Sequence, residues 1–209
     1  MFSAFSLFLI AALVIAATPG PGIFYVAART LSGGRDEGMA STFGTGLGGL
    51  VHVAAGAFGV SAIILASAQL FTVLKLVGAA YLIWLGVKMI RQAGVALPEG
   101  VEATGAKKAF QQGIVVEALN PKTAAFFLAF IPQFIEPAAG NIALQFGALG
   151  LISVGLNTAA DMVVVYLAAT ARVRILRRSH FIQRLRQGSG LIIAGIGVSL
   201  ALAPRPATP

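Results

Sequence analysis

The sequence predicts an all-α integral membrane protein: six transmembrane helices as a 3+3 inverted repeat, with helices one and four broken. Three observations lead there. The 209 residues are 57% hydrophobic and only 11% charged, with a mean hydropathy of +0.88, whereas soluble domains carry about 25% charged residues. Six apolar stretches each approach the ~20 residues needed to cross a bilayer. Two of them, about a hundred residues apart, contain helix breakers: Ala17-Thr18-Pro19-Gly20-Pro21-Gly22 and Ala118-Leu119-Asn120-Pro121-Lys122-Thr123. Proline lacks the backbone N–H and frees a carbonyl of the preceding turn. Freed backbone groups cannot face lipid and are tolerated only against protein or along a wet cavity. Two interrupted segments at corresponding places in two halves mark a transporter binding site.

The first span, residues 3–28, has no Lys or Arg ahead of its apolar run and continues past the break to Ala28. It therefore reads as a membrane segment and not as a cleavable signal peptide. The second, 40–66, is crowded with Gly44, Gly46, Gly48, Gly49, Gly56 and Gly59, small residues that let transmembrane helices approach closely. A tight turn at Ser67-Ala68-Gln69 leads into the third, 68–90. The fourth, 110–135, is separated from the fifth, 142–170, by the helix-breaking stretch Glu136-Pro137-Ala138-Ala139-Gly140-Asn141. The sixth is 187–204. The whole chain, 1–209, forms a single transporter domain. Repeat one covers about 1–92 and repeat two about 108–205, joined by a cytoplasmic linker of about 92–108.

Lys and Arg in short loops set orientation. Arg29, Arg35, Lys88, Arg91, Lys107, Lys108, Arg172, Arg174, Arg177, Arg178, Arg184 and Arg186, 12 of the 15 basic residues, fall on one side; Lys75 and Arg205 lie toward the other. The loops after spans one, three and five are thus cytoplasmic, and both termini face outward. The net charge of +8 and pI near 10.7 follow from this topology and imply no nucleic-acid partner. The dense block Arg172 to Arg186 pins a loop and has the charge to meet anionic lipid headgroups of the bilayer.

The two halves match weakly but in order. Thr42-Phe43-Gly44 corresponds to Gln145-Phe146-Gly147, Pro19-Gly20-Pro21 to Asn120-Pro121-Lys122, and Gly78 and Gly86 to Ser189 and Gly197, each of the last pairs eight residues apart. Three spans per half is an odd number, so the halves insert with opposite orientation.

Ionisable groups within spans are costly and are functional candidates by default. Lys122 follows the second break and lies ~18 Å deep, counted from residue 110 at the helical rise. It can meet a substrate carboxylate or a coupling proton site, or it can fix the fold through a salt bridge with Glu117 or Asp161. Asn157 and Asp161, four apart, share one helix face, and Asp161 lies ~16 Å from the cytoplasmic end. It is the residue expected to bind and release a proton. His52, ~18 Å deep, either faces the same cavity or serves in packing. Glu117 stands one turn before the break, close enough to the interface to stay solvated or else in the pathway; Asn120 and Pro121 complete the break. At the first break, Thr18, Pro19, Gly20 and Pro21 leave free carbonyls before the prolines and unpaired N–H groups after them. The carbonyls near Ile15 to Ala17 suit an ammonium, and the helix N-terminus near Gly22 suits a carboxylate. One broken helix thereby accommodates both ends of a zwitterion, and Tyr25, one turn on, offers a hydroxyl.

The runs Thr18-Pro19-Gly20-Pro21, Gly44-Thr45-Gly46-Leu47-Gly48 with His52, Lys75-Leu76-Val77-Gly78-Ala79-Ala80-Tyr81-Leu82-Ile83-Trp84-Leu85-Gly86, Asn120-Pro121-Lys122 and Phe126-Phe127-Leu128-Ala129-Phe130-Ile131-Pro132-Gln133-Phe134 resemble those of the lysine-exporter family of amino-acid efflux proteins, in its homoserine/threonine-resistance branch. The resemblance covers residues 18 to 134 in the family's order. It implies a multi-pass protein of the bacterial inner membrane that exports amino acids or close derivatives, needs no cofactor, and draws on the proton gradient. The chain departs from the pattern at Gly22, where the family usually has a residue such as Asn. A small bundle of this size is also compatible with a homodimer.

Three other readings are weaker. A cation or metal exporter shares the architecture, but there are no cysteines and only two histidines, His52 and His180, which argues against soft metals. An intramembrane enzyme rests on Gly188-Ser189-Gly190, and a nucleophilic serine needs a histidine within reach. A sugar carrier rests on Pro132-Gln133, a dipeptide already contained in the family run.

Overall fold

The computed structural model describes residues 4–94, 102–170 and 179–202, and among them every regular element is helical. The basic residues Arg172, Arg174, Arg177, Arg178 and Arg205, and the middle of the 92–108 linker, lie outside the described residues. The elements are α1 (Ala4–Ala17), α2 (Pro21–Ala55), a π-helical turn (Gly56–Val60), α3 (Ser61–Ala66), α4 (Ala68–Arg91), α5 (Ala106–Ala118), α6 (Pro121–Ala125), a second π-helical turn (Phe126–Phe130), short 3₁₀ segments (Ile131–Phe134 and Pro137–Ala139), α7 (Ile142–Thr170) and α8 (Ser179–Leu202). Four helical stretches are long and apolar enough to cross a membrane: Pro21–Ile63, Gln69–Arg91, Ile142–Thr170 and Gln183–Leu202. A fifth appears if Ala106–Ala118 and Pro121–Phe134, which bend by 40°, are counted together. The chain is a membrane protein.

The paired breaks form as the prolines require. Residues Thr18 to Gly20 interrupt the first helix and Leu119–Asn120 the fourth, each with a proline at the first position of the helix that follows. There the missing N–H costs nothing, because it has no intrahelical partner in any case.

The expected cytoplasmic loop between the first two spans is replaced by helix. Residues 21–55 are helical throughout except at Gly34, whose φ of 74° and ψ of −166° belong to a region that only glycine enters freely. The chain reverses there, and the contacts with α5 demonstrate it. Along residues 21–33, Gly22 meets Glu117, Tyr25 meets Ala109 and Gln112, and Arg29 meets Gln112 and the Glu102 carbonyl. Along residues 35–55, Glu37 meets Thr104 and Gly105, Gly44 meets Phe110, Gly48 meets Ile114, and His52 meets Glu117. One arm descends α5 as the other climbs it, so the two are antiparallel.

Glycine allows this close approach. A Cβ on Gly44 would strike the Phe110 carbonyl, one on Gly48 the Ile114 carbonyl, and one on Gly113 would stand 2.7 Å from the Ser41 carbonyl. A similar seam joins α4 to α8: a Cβ on Gly190 would lie 2.5 Å from the Gly86 carbonyl, and one on Gly197 would lie 2.8 Å from the Ala79 carbonyl. Two apolar clusters flank the middle of the molecule. One gathers Phe8, Ile15, Phe126, Phe127, Ile131 and Phe146; the other is built on Ala79, Leu82, Ala129, Ile193 and Leu200. Many large apolar side chains point outward, among them Phe58, Leu144 and Leu191, as lipid-facing positions require.

Candidate functional site

The two breaks converge on one buried cluster. Asn120 caps α6, its Oδ1 accepting from the Lys122 backbone N–H at 3.0 Å. Its Nδ2 donates to Glu117 Oε2 at 2.9 Å, and the Thr123 hydroxyl donates to Glu117 Oε1 at 2.6 Å. A capping asparagine and a hydroxyl one turn later thus fold back onto the carboxylate that precedes the proline. Glu117 is 7% exposed, which corrects the expectation of a solvated position near the interface. The helix stops at Ala118, and the turn at Leu119–Asn120 carries Asn120 and Thr123 over the carboxylate.

Lys122, 4% exposed, reaches across to the first break. Its Nζ donates to the carbonyls of Ile15 at 3.1 Å and Thr18 at 2.9 Å. The Ile15 carbonyl, which Pro19 cannot reach with an N–H and which the Thr18 N–H meets at 3.1 Å, and the Thr18 carbonyl take an ammonium, and it is the protein's own. Thr18 is itself buried, its hydroxyl donating to the Val14 carbonyl at 2.6 Å. The anticipated salt bridge from Lys122 to Glu117 or Asp161 is not formed: backbone carbonyls hold the ammonium instead.

Asp161, 5% exposed, enters from α7. Its Oδ2 lies 2.9 Å from the Thr45 hydroxyl, which is also 2.8 Å from the Thr42 carbonyl. A hydroxyl has one proton, so Thr45 donates to Asp161 or to Thr42, not to both. With a proton on Asp161, the acid can donate to Thr45 while Thr45 donates to Thr42. Without one, Thr45 must turn to the carboxylate.

These groups enclose a small cavity between α2, α5, α6 and α7, lined by Gly22, Thr45, Glu117, Lys122, Asn157 and Asp161 among others. Its volume open to the centre of a water molecule is about 20 Å³. One water needs about 10–15 Å³ on that measure, so these groups leave room for one or two waters between them.

The other anticipated residues fall as follows. Asn157 lines the cavity and donates to the Ser153 carbonyl at 3.0 Å. His52 stands behind the site: its Nε2–H donates to the Glu117 carbonyl at 2.8 Å, and its ring packs 5.7 Å from that of Phe127. Tyr25 points away, its hydroxyl donating to the Ala109 carbonyl at 2.7 Å. Pro19 and Gly20 are buried in the first break, whereas Pro21 is exposed and Pro121 half-buried. Sequence reasoning missed Thr45 and Thr123 as site residues. Thr45 lay within a glycine run read only as packing, and Thr123 directly followed the Asn-Pro-Lys break.

It also missed a second polar cluster at the Gly34 turn. Arg29, buried, donates to Gln112 Oε1 at 2.6 Å and to the Glu102 carbonyl at 3.2 Å, and lies 3.9 Å from Glu37. Glu37 accepts from the backbone N–H groups of Thr104, at 2.7 Å, and Gly105. A charged pair eight residues apart astride Gly33-Gly34 was the available signal.

Among the described residues no three His, Asp or Glu converge to hold a metal. Ser189 donates to the Leu185 carbonyl and His180 is exposed, so the Gly188-Ser189-Gly190 motif is ordinary helix.

A family model described as LysE type translocator matches residues 13–203. The chain belongs to that family. Among its relatives, a homoserine/homoserine lactone efflux protein of Salmonella typhimurium is 31% identical over 202 residues, 94% of this chain and 95% of the relative. A threonine efflux protein of Salmonella typhi is 29% identical over 195 residues, 89% of this chain and 91% of the relative. An uncharacterized membrane protein of Vibrio cholerae is 29% identical over 198 residues, 94% and 95% of the two chains. No solved structure matches. As a LysE-type translocator the protein is a transporter and not an enzyme.

Proposed function

We propose that this protein exports small neutral amino acids of the threonine and homoserine kind from the bacterial cytoplasm, in exchange for protons. The observation that carries the reading is the buried cluster at the meeting of the two breaks. There an ammonium, two carboxylates and a hydroxyl relay line one small cavity within a translocator fold. The names of the Salmonella relatives supply the substrate class.

Asp161 is the proton site in this reading. Of the two carboxylates, Glu117 is held by Asn120 and Thr123 on both oxygens, whereas Asp161 has the Thr45 hydroxyl. With Lys122 and Glu117 both charged, a proton on Asp161 makes the cluster neutral, and its loss leaves the cluster with one net negative charge. A buried group whose occupancy changes the net charge of its site couples proton movement to the reorganisation of that site.

The six spans of the inverted repeat are assigned as follows. Ala4–Ala17 with residues 21–33 forms the first, residues 35–66 the second, α4 the third, α5 to Phe134 the fourth, α7 the fifth and α8 the sixth. The α4–α8 seam supports this. At the offset of 111 residues that relates Gly78 and Gly86 to Ser189 and Gly197, the contact of Gly86 with Gly190 maps onto that of Gly197 with Ala79, and both are present. The membrane is the bacterial inner membrane, with the basic Gly34 turn in the cytoplasm and both termini outside.

The test is uptake of labelled threonine and homoserine into proteoliposomes that contain the protein inside-out, with an inward-acidic gradient. Gradient-dependent accumulation by wild type, loss of accumulation with retained one-for-one exchange in Asp161→Asn, and loss of both in Lys122→Ala are expected. Accumulation by Asp161→Asn at the wild-type level would overturn the assignment of the proton site.

A further inference from the structure

The broken first helix has two charged guests, and both come from the fourth span. Where α1 ends, the carbonyls of Ile15 and Thr18 hold Lys122 Nζ at 3.1 and 2.9 Å. Where α2 begins, the Glu117 carboxylate lies against Gly22: a Cβ on that glycine would stand 2.6 Å from Oε2. The first end holds the ammonium directly; the carboxylate, bonded by Asn120 and Thr123, stands beside the second end, and each position carries the charge that the helix end favours. Lys122 and Glu117 both line the cavity, and both are more than nine-tenths buried. Together they present an ammonium and a carboxylate across one broken helix, which is the charge pattern of a free amino acid.

We propose that Lys122 and Glu117 occupy the broken helix in place of substrate when the carrier is empty, and that a zwitterion displaces both, its carboxylate pairing with Lys122 and its ammonium with Glu117. This rests on the export reading above and names the residues that select its substrates. Buried carbonyls and charges without partners are costly. The substrate-free protein avoids that cost by self-occupancy. A ligand bearing both charges replaces every partner that it removes. One bearing a single charge meets only one of the two side chains and only one end of the break. Gly22 is part of the arrangement, since a side chain there would meet the carboxylate.

The experiment is thermal stabilisation of the purified full-length protein in detergent, titrated with three probes: L-threonine, L-threonine amide (no carboxylate) and 2,3-dihydroxybutyrate (no ammonium). The pH is about 6, where an α-amino group is charged. For wild type, threonine should bind about tenfold or more tightly than either single-charge probe. In Lys122→Met the preference for threonine over its amide should vanish while that over dihydroxybutyrate persists; in Glu117→Gln the pattern should invert. If Lys122→Met does not fold, Lys122→Gln removes the charge and keeps a donor. A wild type stabilised by threonine, with both variants keeping its discrimination or losing all three probes alike, would refute the charge assignment and leave the exporter reading standing. A wild type stabilised by no probe would remove both.

Discussion

Asn120 does two jobs that substitutions can separate. Its Oδ1 caps α6 through the Lys122 N–H, and its Nδ2 donates to Glu117. Loss of an asparagine cap costs about 0.5–2 kcal/mol. Loss of a hydrogen bond to a buried carboxylate costs about 1.5–3 kcal/mol. Asn120→Ala should therefore destabilise the protein by about 2–5 kcal/mol. Asn120→Ser keeps a capping oxygen and should lose only the second contribution, about 1.5–3 kcal/mol. Asn120→Asp caps as well as asparagine, but sets a second carboxylate where Nδ2 lay 2.9 Å from Glu117 Oε2. It should fall below the serine variant, because like charges now face one another where a hydrogen bond stood. Thermal unfolding in detergent ranks the three, and threonine exchange in proteoliposomes reports whether Glu117 has moved. Equal losses for Ala and Ser, or an aspartate variant as stable as wild type, would show that the cap and the carboxylate brace are not separate interactions.

Substitutions at four further positions probe other parts of the molecule. Gly34→Ala meets no atom within 4 Å, so its cost is backbone alone, about 1–3 kcal/mol; Gly155→Ala, equally open but mid-helix, should be neutral or stabilising by up to ~1 kcal/mol, and equal melting shifts would refute the turn. Gly44→Ala forces a methyl into the Phe110 carbonyl and should cost about 1–3 kcal/mol through overpacking, read as a lower melting temperature with α2 and α5 pushed apart. Thr45→Val should slow gradient-driven export about tenfold to a hundredfold through loss of one hydrogen bond to a carboxylate, and Thr45→Ser should restore it; equal rates for Val and Ser would remove the hydroxyl from the proton path.

The breaks were legible in the sequence because proline's missing N–H is a covalent fact that no tertiary context repairs. So were α4 and α7, whose bounds fall within two residues of the apolar runs 68–90 and 142–170. Gly34 was not, since Gly33-Gly34 amid charges reads as an open loop, and only the opposite registers of the two arms on α5 expose a one-residue reversal. Depth along a helix could be counted from the interface, which placed Lys122 and Asp161 among buried groups. The direction a side chain faces could not. His52 sits at the right depth, yet its hydrogen bond to the Glu117 carbonyl turns it away from the cavity, and Tyr25 reaches the Ala109 carbonyl in the first turn of α5. Glu117 was misjudged for the converse reason: the chain stops being helical directly after it, so a count at helical rise says nothing of what folds over it.

The smallness of the central cavity has a consequence for the water within it. Between Glu117, Lys122 and Asp161 there is room for one or two waters, too few to form a continuous hydrogen-bonded file at that point of the molecule.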